Sequence, residues 1–185
     1  MSAKPLSSTL ALGLASYLSL YPALLLPPLI LLCYDRQGRD LKTRRTITTA
    51  AATYTSVFSA SIAWFLYISS ILSGGSWKFL SSTYGVHLLL PDLTPNVGLW
   101  WYFFIEIFDS FREFFLGVFW LHLGSYVGGL CVRVRKQPLF IITTLLGIFA
   151  IFKPYPSVSD TSLYFAMLPL YRHVFPCKCY PSLAP

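Results

Sequence analysis

Glu106 and Asp109 are the acids of this chain that most need a reason, because they stand in an aromatic, membrane-grade stretch running from Pro95 to Phe111. Three residues apart, they share one face if the stretch is helical, and an ionisable group at bilayer depth faces a protein interior or a polar cavity. Two chemistries fit. The pair can form a polar patch that accepts hydrogen bonds or meets a cationic group, or it can be structural, with Asp109 one turn from Arg112 and able to neutralise it. Glu113, seven residues after Glu106, extends the same face and makes the first two less special.

Other polar groups are sparse. Asn96 precedes the stretch, where it can donate to a ligand or cap the helix. Trp100, Trp101 and Tyr102 suit either the wall of an acyl-chain cavity or an interfacial aromatic belt. Lys153, Tyr155 and Asp160 cluster downstream, where a cation can meet phosphate and an acid an amine; snorkelling and capping account for them equally. By helical angle His122 lies opposite the Glu106 and Glu113 face, and His87 sits in a separate loop. Cys177 and Cys179 form a single Cys-x-Cys beside Lys178, without the second ligand pair that zinc requires, and Cys33 and Cys131 read as packing thiols. No metal, cofactor, phosphate loop or nucleophile-base pair is expected.

These groups are carried by an unusually apolar chain. Hydrophobic residues make up 55% and charged residues 11%, and the mean hydropathy is +0.61. Soluble domains carry roughly 25% charged residues, so the chain reads as an all-α integral membrane protein. The net charge of +7 does not point to nucleic acid. Arg36, Arg39, Lys42, Arg44 and Arg45 follow the first apolar run, and Arg133, Arg135 and Lys136 follow the third, the alternation of cytoplasmic loops.

The apolar pattern predicts a polytopic bundle of four to five spans occupying residues 1–175. The first, 10–33, reads as one spanning helix kinked by Pro22, Pro27 and Pro28. The second, 46–72, is rich in Ala and Ser, which let helices approach closely in lipid, and stops at Ser73-Gly74-Gly75. The third, 97–132, exceeds the roughly 20 residues needed to cross. It is either one long tilted helix or an interfacial entry followed by a span from Phe114. The fourth, 138–152, is short and ends where Pro154 and Pro156 stop it. The fifth, 161–175, follows Ser159 and Asp160 as possible N-caps. Charge alternation then sets the amino terminus on the non-cytoplasmic side.

Pro95-Asn96-x-Gly98-Leu99-x-Trp101-Tyr102-Phe103-Phe104-x-Glu106-x-Phe108-x-x-Phe111 resembles the signature of the PIG-U family, the multispanning (class U) subunit of the glycosylphosphatidylinositol (GPI) transamidase. Tyr17-Leu18-Ser19-Leu20-Tyr21-Pro22, Lys136-Gln137-Pro138-Leu139-Phe140 and Ile151-Phe152-Lys153-x-Tyr155-Pro156-x-Val158-x-Asp160-x-x-Leu163-Tyr164 resemble three further family segments in the same order. The resemblance covers about Tyr17 to Val174, whereas 176–185 looks like a non-family tail. Family members are longer on both sides, so the chain is expected to be a partial member.

The resemblance implies a fold similar to part of the GT-C-like membrane GPI mannosyltransferases. It also implies a noncatalytic role in a multi-pass subunit of the endoplasmic reticulum membrane, with the nucleophile in a partner subunit. Such a subunit supports GPI attachment by binding and presenting the lipid and organising the other subunits, so the implied partners are those subunits, the GPI lipid and the membrane. On this reading Asn96, Trp101, Tyr102, Phe103, Glu106, Asp109, Lys153, Tyr155 and Asp160 are the candidate GPI-contacting residues. The alternative is a polyprenyl-phosphate-sugar-dependent mannosyltransferase of the similar fold, whose chemistry needs a basic carboxylate in an early luminal loop.

Overall fold

A computed structural model describes residues 5–37, 46–89 and 93–174, apart from the side chains of Gln37, Asp109, His173 and Val174. Among the described residues every regular element is helical: α1 Pro5–Leu18, α2 Leu26–Gln37, α3 Ile47–Leu72, α4 Lys78–Leu80, α5 Val86–Leu89, α6 Leu99–Ile105, α7 Arg112–Arg133, α8 Pro138–Phe152 and α9 Val158–Met167, joined in places by 3-10 and π turns.

Local chemistry sets several of the ends. The Thr46 side chain accepts from the Thr49 amide and starts α3. At its other end Gly74 and Gly75 take φ of 67° and 78°, and their amides reach back to the carbonyls of Ile71 and Ser70. Glycine adopts that left-handed geometry without the penalty other residues meet. Pro138 opens α8, where its missing N–H is harmless, and Pro154 prevents continuation past Phe152.

The first apolar run is not one kinked helix. Gly13 of α1 lies against Ser61 of α3, and the Tyr17 hydroxyl bonds to Ser69, so α1 and α3 rise in parallel. Cys33 of α2, by contrast, clusters with Ala50 and Tyr54. Ala50 and Ser69 are separated by about 28 Å along α3 at 1.5 Å per residue, so the chain reverses between Tyr17 and Cys33. The reversal occupies Ser19, Leu20 and the 3-10 turn Tyr21–Leu25 that Pro22 opens. It places Pro5 toward the same end of α3 as the basic residue Arg36, opposite to the placement expected for the amino terminus. The basic residues Arg39, Lys42, Arg44 and Arg45 lie outside the described residues.

The third run also differs from one long helix. Residues 106–108 interrupt it, and α6 folds back against α7: the Trp100 and Phe119 ring centroids are 4.6 Å apart, and those of Phe103 and Phe115 are 5.2 Å apart. In a continuous helix Trp100 and Phe119 would be separated by about 28 Å. The interrupted alternative therefore describes the chain, with α7 starting at Arg112 rather than Phe114.

The main core joins Tyr21 to Leu123 and Val127 of α7 and to Ile141, Leu145 and Phe149 of α8. Tyr21 stacks on Trp120 at 5.6 Å. Among the described residues two helices, α3 and α7, are long and apolar enough to cross a membrane, and only 17% of the apolar window of each is buried. Core helices of a soluble domain would be enclosed, whereas large apolar side chains such as Trp64, Leu72, Leu121 and Val132 face outward here.

Contact between α1 and α3 depends on a missing side chain. A Cβ at Gly13 would stand 2.0 Å from Ser61 Oγ and 3.1 Å from its Cβ. Gly13→Val is therefore expected to lower stability in detergent by about 1–3 kcal/mol, the usual cost of overpacking. A thermal-unfolding comparison checks this, and Gly13→Val together with Ser61→Ala is expected to recover part of the loss.

Candidate functional site

The acidic stripe expected along one helix does not form. Glu106 ends α6, with φ −92° and ψ −8°, and its side chain is exposed. Asp109 begins a separate 3-10 turn, Asp109–Phe111, so a continuous helical face does not carry the two acids together. The reason lies in the rings: packing α6 back onto α7 through Trp100, Phe103 and Phe119 requires a turn between them. The side chain of Asp109 is outside the described atoms, and with it the expected pairing to Arg112. The Arg112 guanidinium lies over the Phe104 ring at 5.8 Å.

The remaining candidates gather at a junction between the lead-in to α6 and the turn joining α8 to α9. Trp100 anchors it, fully buried, with its indole Nε1–H donating to the Phe152 carbonyl. In a continuing helix that carbonyl would accept from residue 156, which is proline and has no N–H. Trp100 thus supplies a donor that the sequence removes. Around it Leu93 and Phe119 are buried, with Trp101, Phe103 and Tyr155 packed against them.

Asn96 shapes the approach rather than capping α6 directly. Its Oδ1 accepts from the Gly98 amide at 2.7 Å, and its Nδ2 donates to the Thr94 carbonyl at 3.0 Å. Gly98 must remain bare, because a Cβ there would meet Asn96 Oδ1 and Pro156 Cδ, each at 2.7 Å. The Tyr155 hydroxyl accepts from the Thr94 amide at 3.3 Å, a second tie across the junction.

Lys153 and Asp160 meet each other. The ammonium lies 2.9 Å and 3.0 Å from the two carboxylate oxygens, and Asp160 also accepts from the Ser157 amide at 2.9 Å and hydroxyl at 2.7 Å. Ser157 is therefore the N-cap of α9, with Asp160 three residues in as the acidic arm of a capping box, in place of the expected caps at Ser159 and Asp160. Partial burial raises the Asp160 pKa, but the hydrogen bonds from Ser157 and Lys153 outweigh it and hold the carboxyl below its ordinary value.

The nine candidates thus divide. Asn96, Trp101, Phe103, Lys153, Tyr155 and Asp160 belong to the junction, Tyr102 and Glu106 are exposed on α6 and its end, and the side chain of Asp109 lies outside the described atoms. Trp100, Gly98 and Pro156 hold the junction and were not in the candidate set. Their readable signal was the pairing of a tryptophan in the aromatic motif with a proline-stopped helix. His122 is exposed on α7, with Nδ1 3.1 Å from the Val118 carbonyl. Cys33 and Cys131 are free thiols, and Cys177 and Cys179 lie outside the described residues.

The family described as "GPI transamidase subunit PIG-U" matches residues 1–184, a range that includes most of the tail 176–185. "GPI-anchor transamidase component PIGU" of Mus musculus and that of Homo sapiens are each 36% identical over 169 residues, covering 91% of this chain and 39% of the relative. "GPI transamidase component GAB1" of Saccharomyces cerevisiae is 35% identical over 179 residues, covering 97% of this chain and 43% of the relative. The chain spans about two fifths of the length of these curated relatives.

Because its folded carboxyl has a lowered pKa, Asp160 contributes stability that is fully present above the ordinary carboxylate range, about 4, and is lost as pH falls through the lowered value. Protease resistance of the 153–160 turn should therefore be constant from pH 8 to about pH 5 and decline only in stronger acid. Asp160→Asn should reduce it above about pH 5, by about 1 kcal/mol for the weakened cap, and the difference should narrow in stronger acid, where the native carboxyl is itself protonated. Limited proteolysis across a pH series checks both.

Proposed function

The chain belongs to the PIG-U family of GPI transamidase subunits, and from that premise we propose that it acts as a noncatalytic part of the GPI transamidase complex in the endoplasmic reticulum membrane. The observation that carries the reading is the match across residues 1–184, which embraces the aromatic motif and the junction built from it. In this role the chain organises partner subunits through its exposed apolar helix faces and presents the GPI lipid to them.

In the arrangement proposed, α3 and α7 cross the membrane fully, α8 and α9 pack beside them as two shorter crossings, and the α1–α2 hairpin enters and leaves on the basic side. The fold corresponds to part of a GT-C-like bundle of four to five spans. With the basic turns on the cytoplasmic side, the junction faces the lumen, where the GPI glycan lies. Exposed Tyr102 and Glu106, with Asp109 beyond them, then contact the ethanolamine or sugar hydroxyls. Trp101 and Phe103 form the apolar support, and Asn96, Tyr155 and the Lys153–Asp160 pair keep the platform in shape. A carboxylate and a phenol beside apolar rings suit a ligand with a polar head and a lipid tail.

Two measurements on the tagged chain, expressed in cells lacking their own PIG-U-type component, separate the two halves of the role. Recovery of the other transamidase subunits tests assembly; a cell-surface GPI-anchored reporter tests lipid handling. Glu106→Gln combined with Tyr102→Phe is expected to leave recovery unchanged and reduce the reporter severalfold. Normal reporter levels would remove the lipid-site assignment, and failure of the unaltered chain to recover any subunit would remove the complex assignment.

A further inference from the structure

A cavity lies along α8, with its mouth at the end opposite the junction. A groove of about 1190 Å³ opens between the end of α2, one side of α8 and the segment from α9 through the following 3-10 turn. Its depth is apolar, with Ile148, Ile151, Phe165 and Leu168 along the walls. The back is closed where Gly147 lies so near Tyr164 that an added Cβ would meet the ring at 3.0 Å.

Charge is confined to one end. Arg36 from the end of α2 and Lys136 from the α7–α8 turn both reach the groove mouth, with Asp35 the acid beside them. Both cations are exposed. The volume exceeds the 300–1,000 Å³ usual for small-molecule pockets. A long apolar trough with two cations and one acid at a single end complements an amphiphile with an anionic head. The mouth lies at the basic end of the bundle, far from the junction assigned to the GPI headgroup.

We infer that this groove binds one anionic glycerophospholipid of the surrounding bilayer, its headgroup phosphate between Arg36 and Lys136 and an acyl chain laid along α8. Cationic residues at a membrane surface favour anionic lipids, while the acyl chain gains from contact with the apolar walls. Thr143 and Tyr171, hydrogen bonded to each other at 3.1 Å, mark a polar point partway along the wall.

The test reconstitutes the full chain in phosphatidylcholine nanodiscs containing either photoactivatable phosphatidylserine or photoactivatable phosphatidylcholine with the same acyl chains. Mass spectrometry then locates the attached lipid. The expected result is severalfold greater attachment of the serine lipid within 138–151 and 161–168. Arg36→Gln with Lys136→Gln should reduce that attachment to the choline level, and Thr144→Trp, which fills the trough, should reduce attachment of both probes. Equal attachment of the two probes to the unaltered chain would overturn the inference. So would attachment that avoids the groove, the result expected if protein covers it.

Discussion

A helix that ends within apolar surroundings must place its last carbonyls, and the end of α8 makes the problem acute. Its Phe152 carbonyl loses its helical partner because residue 156 is proline, and the Trp100 indole takes that place. Removing the donor would leave a half-buried carbonyl unsatisfied, at a cost toward the low end of about 1–3 kcal/mol. That contact determines more than one helix end. It draws α6 back against α7, sets the aromatic cluster around Phe119, and brings the Asn96–Gly98 turn against Pro156.

The two halves of the bundle use opposite means of packing. Between α1 and α3 the contact is made by small residues, with Gly13 facing Ser61 so that backbones approach closely. Between α6 and α7 rings do the work, meeting edge to face at Phe103 and Phe115 and at a shallower tilt at Trp100 and Phe119. Lipid tails are as apolar as leucine, so neither contact can rely on exclusion from water; each depends on dispersion and shape. Tyr21 links the halves, since the turn that reverses the first apolar run also inserts this ring between α7 and α8.

Helix ends were legible wherever the chain carries its own stop or start. Thr46, Gly74-Gly75, Pro138 and Pro154 act within a few residues of where they stand, and the ends of α3 and α8 follow from them. The all-helical character followed from composition. Two features were not legible because distant partners decide them. Proline at the start of a 3-10 turn is compatible with a kink or with a reversal, and only the α1 contact with Ser61 and the α2 contact with Ala50 distinguish the two. The interruption at residues 106–108 contains neither glycine nor proline; packing between rings nineteen residues apart, Trp100 and Phe119, produces it. Hence the aromatic motif could be read as important while the geometry of its acids could not. Lys153 and Asp160 are readable as a cluster, whereas Ser157, which fixes their arrangement, is one of two neighbouring serines that the sequence alone does not tell apart as caps.

Helix length explains why the junction is so fully self-satisfied. Along their axes α3 rises about 39 Å and α8 about 22 Å, against a hydrocarbon layer near 30 Å. If α3 spans that layer, the turn after α8 lies at its edge rather than well beyond it. Polar groups at that depth receive little help from water, and a lysine and an aspartate there cost free energy unless they meet. Both do meet, and the carboxylate takes two further hydrogen bonds from Ser157. The aromatic cluster that packs on this turn carries α6, from which Tyr102 and Glu106 face outward. Positioning of exposed polar groups on such a base is the physical requirement for recognising a headgroup at a membrane boundary.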